Sequence, residues 1–187
     1  MDSLAGVSIA LIVVLVVACV SVYNRLVRLR NGSEDAWAQI DLQLKRRYDL
    51  IPNLVATVEG HATNERDTFE ALARARAGAV DASGVEDQAR AENVLSEALG
   101  RLFALAEAYP ELQADDNFLA LREELGDTEG RIGFARRYYN ERVLGYDNAL
   151  RTFPSNLVAG AFAFRLKPFF ETDPKARGPV AMNFKAS

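Results

Sequence analysis

The chain has 187 residues, a length that suits one folded domain with an additional terminal segment. Its formal net charge is −4; the first thirty residues hold +2 and the remainder holds −6. An acidic domain is not typical of nucleic-acid-binding proteins, so no nucleic-acid partner is expected. A single cysteine excludes an intramolecular disulfide, and a single histidine leaves little scope for metal or acid–base chemistry.

The N-terminal residues form an uncharged, mainly apolar run from Ser3 to Tyr23. A helix needs about 20 apolar residues to cross the hydrocarbon core of a bilayer. A buried helix of a soluble protein normally keeps a polar face, and this run has none. We therefore predict a single transmembrane helix, with the lipid bilayer as its partner, that includes Ala5, Val7, Ile9, Leu11, Ile12, Leu15, Cys19 and Val22.

The charged residues on either side of the run predict its orientation. Arg25, Arg28 and Arg30 follow it, and Asp2 precedes it. Because positive flanks stay on the cytoplasmic side, we expect the N-terminus outside the cell membrane and the domain in the cytoplasm. As an alternative, residues 16–19 (VVAC) resemble a lipoprotein processing box that would anchor the chain through a lipid on Cys19. A lipoprotein signal normally has a basic region before its apolar run, and this chain has none.

The chain after the run has helical periodicity. From Asn31 to about Ala79 one helical pattern is predicted, with a kink at Pro52, which lacks a backbone N–H. Gly78 to Gly84 reads as a loop, and a second helix is expected from about Val85 to Tyr109, before Pro110. Apolar or aromatic residues recur every seventh position in the first pattern, as is typical of helices that pack on one another: Trp37, Leu44, Ile51 and Val58.

A third helix is predicted to begin near Asp115 or Asp116, either of which can cap it. Pro154 either ends this helix or opens a short one that runs through Ala163. A seven-residue repeat is again typical of bundle packing, and its members are Phe118, Leu125, Ile132, Tyr139, Tyr146 and Phe153. The sequence therefore predicts an all-α protein, in which an N-terminal transmembrane helix is followed by an antiparallel bundle of long helices.

Three regions follow from this pattern. Residues 1–30 form the transmembrane anchor and juxtamembrane segment, residues 31–163 form the helical bundle, and residues 164–187 form an irregular C-terminal tail. The tail is assigned because proline and glycine recur in it without helical periodicity.

No catalytic, cofactor-binding or metal-binding set is recognised. A di-iron bundle needs two Glu-x-x-His pairs, and the residue three positions before His61 is Val58. A Cys–His pair is excluded because Cys19 lies in the predicted membrane span. We therefore expect a protein that is not an enzyme and has no cofactor.

Two groups of residues are candidates for interaction with partners. Lys45, Arg46 and Arg47 either pair with nearby acidic side chains at the surface or contact anionic lipid or a protein partner. Tyr139 and Tyr146 lie on one stripe, where aromatic rings serve either in the core or in a contact between subunits.

Several motifs in chain order resemble those of the LemA family, and the most specific is YDLIPNLV at residues 48–55. The resemblance implies a membrane-anchored bundle of long antiparallel helices with no established reaction or cofactor. The chain differs from the family's motifs at two places. Asp147 stands where an asparagine is usual, and residues 62–64 are inserted between His61 and Glu65. The other matching motifs are residues 23–27 (YNRLV), 37–47 (WAQIDLQLKRR), 107–112 (EAYPEL), 137–140 (RYYN) and 153–159 (FPSNLVA).

These observations lead to a functional hypothesis. The chain is expected to be a non-enzymatic, membrane-anchored scaffold or adaptor that forms homo-oligomers or binds other membrane proteins. Two alternatives are a signalling or stress-sensing adaptor whose helices transmit a change at the membrane, and an enzyme with an unrecognised site.

Overall fold

The computed structural model describes residues 2–62 and 64–171, with side chains described from Gly6 onward. These residues contain no β-strand, which confirms the all-α prediction. Their helices are α1 (Asp2–Glu59), α2 (Arg66–Asp81), α3 (Val85–Ala106), α4 (Pro110–Gln113), α5 (Asp116–Arg151) and α6 (Ser155–Ala161).

The described residues divide into two compact units. Unit 1 comprises residues 2–43 and 131–169, and unit 2 comprises residues 44–62, 64–130 and 170–171. The long helices α1 and α5 each contribute residues to both units. Within unit 1 these two helices are antiparallel, because later residues of α1 contact earlier residues of α5, as Trp37 and Tyr139 illustrate.

The N-terminal part of α1 is an exposed apolar helix. Among the described residues, α1 is the one helix that is long and apolar enough to cross a membrane. It continues without a break through residues 31–33, where the Oγ of buried Ser33 donates a hydrogen bond of 2.6 Å to the carbonyl of Arg30. Ala5 lies outside the described side chains; exposed residues of the predicted span are Val7, Ile9, Leu11, Ile12, Leu15 and Cys19.

The helical pattern predicted from residue 31 to about residue 79 is divided in the structure. α1 passes through Pro52 and ends at Glu59, and α2 begins at Arg66. The Val58 carbonyl accepts hydrogen bonds from the N–H groups of both His61 and Ala62, which closes the last turn. The stretch between the two helices has no apolar side chain larger than alanine. Because protein helices are stabilised mainly by packing of an apolar face, a single helix that continued through this stretch would lack stabilising contacts.

The boundaries of the next helices differ slightly from the prediction. The loop before α3 is shorter than expected, because α2 continues to Asp81. Gly84 precedes α3 with a φ of +84°, a conformation that side-chain-bearing residues rarely adopt. α3 ends at Ala106, and Pro110 opens the short helix α4 instead of simply ending the preceding one.

The predicted start of α5 is confirmed. The Oδ1 of Asp115 accepts a hydrogen bond of 2.8 Å from the backbone N–H of Phe118, as an N-cap residue does. Phe153 lies beyond the last residue of α5 and is 75% exposed. The other members of the seven-residue repeat are buried: Phe118, Leu125, Ile132, Tyr139 and Tyr146.

The core of unit 1 joins α1, α5 and α6. Leu26 of α1 is fully buried against Tyr146, Ala149, Leu150 and Ala159. The side chains of the seven-residue repeat in α5 are therefore buried by packing against other helices of the same chain.

The first part of the predicted tail is fastened to unit 1. The backbone N–H of Lys167 donates to Asp147 Oδ1 at 3.2 Å, and the hydroxyl of Tyr139 donates to the carbonyl of Pro168 at 2.9 Å. The Lys167 ammonium group also lies 3.1 Å from the Glu34 carboxylate. Residues 164–169 therefore lack helix or strand but are bonded to the rest of unit 1 through Lys167 and Pro168, and residues 172–187 of the predicted tail lie outside the described residues.

Candidate functional site

The three consecutive basic residues of α1 have different environments. Lys45 and Arg46 are exposed, whereas Arg47 is only 5% exposed. Arg46 Nη2 lies 2.8 Å from Glu124 Oε1 of α5, in an exposed ion pair. Arg47 is therefore an interior residue of unit 2, whereas a partner contact at Lys45 and Arg46 stays a prediction.

Arg47 is buried because of its position on the helix. Leu44, Tyr48 and Ile51 are also buried, and positions 44, 47, 48 and 51 share one helix face. The apolar residues at positions 44 and 51 therefore indicate that Arg47 and Tyr48, which lie on the same helix face, point to the core.

The main polar feature of unit 2 is a buried cluster centred on Glu92 of α3, which is 3% exposed. Arg47 Nη1 donates to Glu92 Oε2 at 3.0 Å, and the Tyr48 hydroxyl donates to Glu92 Oε1. Gln88 Nε2 lies 3.2 Å from the same Oε1, and Arg47 Nη2 donates to the Ser96 hydroxyl at 2.8 Å. We call these five residues the Glu92 cluster.

The cluster connects three helices. Tyr48 and Arg47 come from α1, and Gln88 and Glu92 come from α3. Gln88 Nε2 also donates to the carbonyl of Ala79 in α2, at 3.0 Å. Because both carboxylate oxygens of Glu92 accept hydrogen bonds from the cluster, its charge compensates Arg47 and fixes the contact between α1 and α3.

Burial dominates the electrostatics of the cluster. It raises the pKa of the Glu92 carboxyl, while the hydrogen bond from Tyr48 and the charge of Arg47 act in the opposite direction. Burial also raises the pKa of the Tyr48 hydroxyl, and the neighbouring Glu92 carboxylate raises it further. Tyr48 therefore remains a neutral hydrogen-bond donor at physiological pH.

The YDLIPNLV motif has a second role through Pro52. Proline has no N–H, so the carbonyl of Tyr48, four residues earlier, loses its helical partner. Arg76 of α2 replaces it, because its Nε donates to the Tyr48 carbonyl oxygen at 2.8 Å. Tyr48 is thus joined to α2 through its backbone and to α3 through its side chain.

An open cavity of about 360 Å³ adjoins the cluster in unit 2. The Arg122 guanidinium lies over the Phe103 ring, 5.8 Å from its centroid. A Cβ added at Gly100 or Gly126 would meet no atom within 4 Å. These glycines are therefore not needed for close packing of helices, and their lack of a side chain leaves the cavity open. The cavity is lined by Arg47, Ser96, Leu99, Gly100, Phe103, Arg122, Leu125, Gly126 and Glu129.

The two tyrosines singled out by the sequence lie in the core of unit 1. Tyr139 packs against Trp37 with ring centroids 5.5 Å apart, and Tyr146 contacts Leu26. Burial, together with the smaller effect of the Asp147 carboxylate, raises the pKa of Tyr139 to about 12; burial also raises the pKa of Tyr146. Both side chains are used in packing within the chain.

Other candidates for chemistry do not converge. His61 is exposed, and its Nδ1 lies 3.2 Å from the Thr57 carbonyl oxygen. Within residues 2–62 and 64–171, no three His, Cys, Asp or Glu side chains are grouped to hold a metal ion.

Sequence reasoning did not identify Glu92, Gln88, Ser96 or Arg76. A signal was present for two of them, because Gln88 and Glu92 are one turn apart and continue the apolar face of α3 at Leu95. The pairing of these residues with α1 depends on contacts between distant parts of the chain.

Replacement of Glu92 by leucine should destabilise the protein by roughly 3 kcal/mol, because it leaves the buried Arg47 charge without its main partner. The double variant Arg47→Met/Glu92→Leu should recover most of this loss. The measurement is thermal unfolding of the full chain in mild detergent, followed by circular dichroism. Glu97→Leu, at an exposed α3 position, is the matched control and should change stability by no more than about 0.5 kcal/mol. A Glu92 effect no larger than this control would contradict the role of Glu92 as the main partner of the buried Arg47.

Replacement of Arg76 by methionine should cost about 1–2 kcal/mol, because the Tyr48 carbonyl loses its only side-chain donor among the described residues. In a Pro52→Ala background the same change should cost about 1 kcal/mol less, because residue 52 then supplies an N–H to that carbonyl. The four unfolding free energies form a double-mutant cycle. Equal costs of Arg76→Met in the two backgrounds would refute the link between Pro52 and Arg76.

Alkaline pH should destabilise unit 1. The pKa of Tyr139 is about 12 in the folded chain and about 10 when unfolded, so the folded state binds the phenolic proton more strongly. Its contribution is therefore complete below about pH 10 and is lost as the pH rises from 10 to 12, with a slope of at most about 1.4 kcal/mol per pH unit.

The measurement is the unfolding free energy against pH, with phenolate absorbance as a second signal. Tyr139→Phe should make the alkaline loss shallower. Tyr138→Phe is the matched control, because it removes a hydroxyl outside the core, where it pairs with Arg142. An unchanged slope in Tyr139→Phe would show that this residue does not govern alkaline stability.

The chain is similar in sequence to known proteins. The magnetosome protein MamQ of Magnetospirillum gryphiswaldense is 23% identical to the chain over 201 residues, which cover 94% of the chain and 74% of that protein. The magnetosome protein MamQ 2 of Paramagnetospirillum magneticum is 24% identical over 204 residues, which cover 95% and 75%. A sequence model of the LemA family matches residues 36–184, a range that includes the Glu92 cluster and the YDLIPNLV motif. The chain belongs to the LemA family.

Proposed function

We propose that the chain is a non-enzymatic, membrane-anchored helical scaffold or adaptor that assembles with itself or with other membrane proteins. The observation that carries this proposal is the continuity of α1, in which the exposed apolar segment and the residues that pack in the bundle belong to one helix. Because no loop separates the apolar segment from Leu26, the position of this segment in a membrane would also set the position of the core of unit 1.

The site geometry supports a structural role over a catalytic one. The groups of the Glu92 cluster bond one another across α1, α2 and α3, which is the arrangement expected of a clamp between helices. His61 lies at the surface, and Cys19 lies within the apolar segment. The similarity to magnetosome proteins is compatible with such a role.

Self-assembly would use surfaces other than the two seven-residue stripes, because their side chains are buried within the chain, apart from the exposed Phe153 and the half-buried Trp37. One such surface is the exposed apolar segment of α1. Another is a groove of about 350 Å³ between α2 and α3 in unit 2. Its floor includes Ala71, Ala75, Gly78 and Ala91, whose small side chains allow the backbone of another helix to come close.

The mass of the full chain in nanodiscs or mild detergent tests the proposal. We expect an assembly larger than one chain, and a smaller mass for a chain that lacks residues 1–19. This shortened chain keeps Val22 and Leu26, so the core of unit 1 is preserved. A single chain in both samples, with no partner after cross-linking in membranes, would contradict the scaffold role. A mature chain that starts at a lipid-bearing Cys19 would replace the transmembrane anchor by the lipoprotein alternative.

The proposed orientation places the N-terminus outside and both units in the cytoplasm, because Arg25, Arg28 and Arg30 follow the span. In a Cys19→Ser background, Phe134→Cys supplies a thiol at an exposed position of α5. A membrane-impermeant maleimide should label it only after the cells are lysed. Labelling of intact cells would reverse the orientation.

A further inference from the structure

A second apolar surface lies in unit 1, outside the predicted membrane span. Residues 152–164 contain no charged side chain and lie between Arg151 and Arg165. The helix α6 lies within this stretch. Three large side chains are exposed in this stretch, and Leu166 is exposed directly after Arg165. We call these four residues the α6 patch: Phe153 (75%), Leu157 (64%), Phe162 (55%) and Leu166 (51%).

The α6 patch is joined to α1 at the point where the apolar run ends. The Tyr23 ring lies 4.9 Å from that of Phe162 and 5.7 Å from that of Phe164, between centroids. Val22 of the predicted span packs against the same core cluster as Ala159 of α6. Because Tyr23 closes the uncharged run, these contacts place the α6 patch beside the part of α1 that leaves the hydrocarbon core.

The charges around the patch match a lipid surface. After Asp2, the next acidic residue of α1 is Glu34, while Arg25, Arg28 and Arg30 lie between them. The Arg30 guanidinium lies over the Phe164 ring at 5.8 Å from its centroid. Basic side chains next to a span attract the phosphates of lipid headgroups, and aromatic rings are favoured at the same depth.

From these contacts we infer that the α6 patch is a second membrane-binding element, which lies in the headgroup boundary of the leaflet through which α1 leaves the bilayer. Its occupant is lipid, and its effect is to hold unit 1 against the membrane instead of leaving it free on the end of a span. An amphipathic element of this kind lies in the interface plane with its apolar side chains inserted. The inference rests on the proposed insertion of α1.

The test measures the depth of single labels on the full chain. In a Cys19→Ser background, a fluorophore is attached after Leu157→Cys, Phe134→Cys or Ile12→Cys, and each protein is reconstituted into phosphatidylcholine vesicles that contain phosphatidylglycerol. Position 157 reports on the patch, and position 12 reports on the span. Position 134 is the matched control, because Phe134 is 65% exposed in the same unit but lies about 25 Å along α5 from Arg151.

The label at position 157 should be quenched by a nitroxide attached to lipid near the headgroup and should be protected from aqueous iodide severalfold relative to position 134. Equal iodide quenching at positions 157 and 134, with position 12 shielded, would overturn the inference and leave the anchor standing. Iodide quenching at position 12 as well would overturn both. Protection at position 157 without quenching by the lipid nitroxide would mean that protein covers the patch, which also overturns the inference.

Discussion

A buried ion pair between Arg47 and Glu92 constrains how the helices of unit 2 pack. Arg47 and Glu92 are almost completely buried, and removing two charges from water is unfavourable unless all their polar atoms have partners. Arg47 Nη1 also lies 3.3 Å from Glu129 Oε2 of α5. The partners of the Glu92 carboxylate come from α1 and α3, and Gln88 extends the network to the backbone of α2. The relative positions of these three helices therefore follow from the need to satisfy one carboxylate.

Pro52 adds a second constraint to the same region. A proline within a helix normally weakens it, yet α1 continues for seven more residues to Glu59. The carbonyl that Pro52 leaves without a partner is bonded by Arg76, so the cost of the proline is offset by a contact with α2. The motif thus couples Tyr48, through both its backbone and its hydroxyl, to the two helices that follow.

In unit 1 the same long helix meets a different environment. Leu26 is buried only a few residues after the end of the uncharged run, so the apolar segment and the core of unit 1 share one continuous helix. The C-terminal stretch packs back on this point through Phe162 and Phe164 and is fastened by Asp147 and Tyr139. The carboxylate of Asp147 accepts the backbone N–H of Lys167 in this contact.

The sequence by itself determined the helical class, the apolar N-terminal run, the cap at Asp115 and the buried stripe of α5, because these depend on local propensity and on periodicity along one helix. It did not locate the end of α1 at Glu59, because that end depends on where the core stops offering apolar contact. It grouped Lys45, Arg46 and Arg47 as one basic cluster, and only the tertiary structure separated Arg47 from its neighbours. A buried charge is stable only beside a partner from elsewhere in the chain, and the pairing of residues 45 positions apart is decided by packing, not by local sequence.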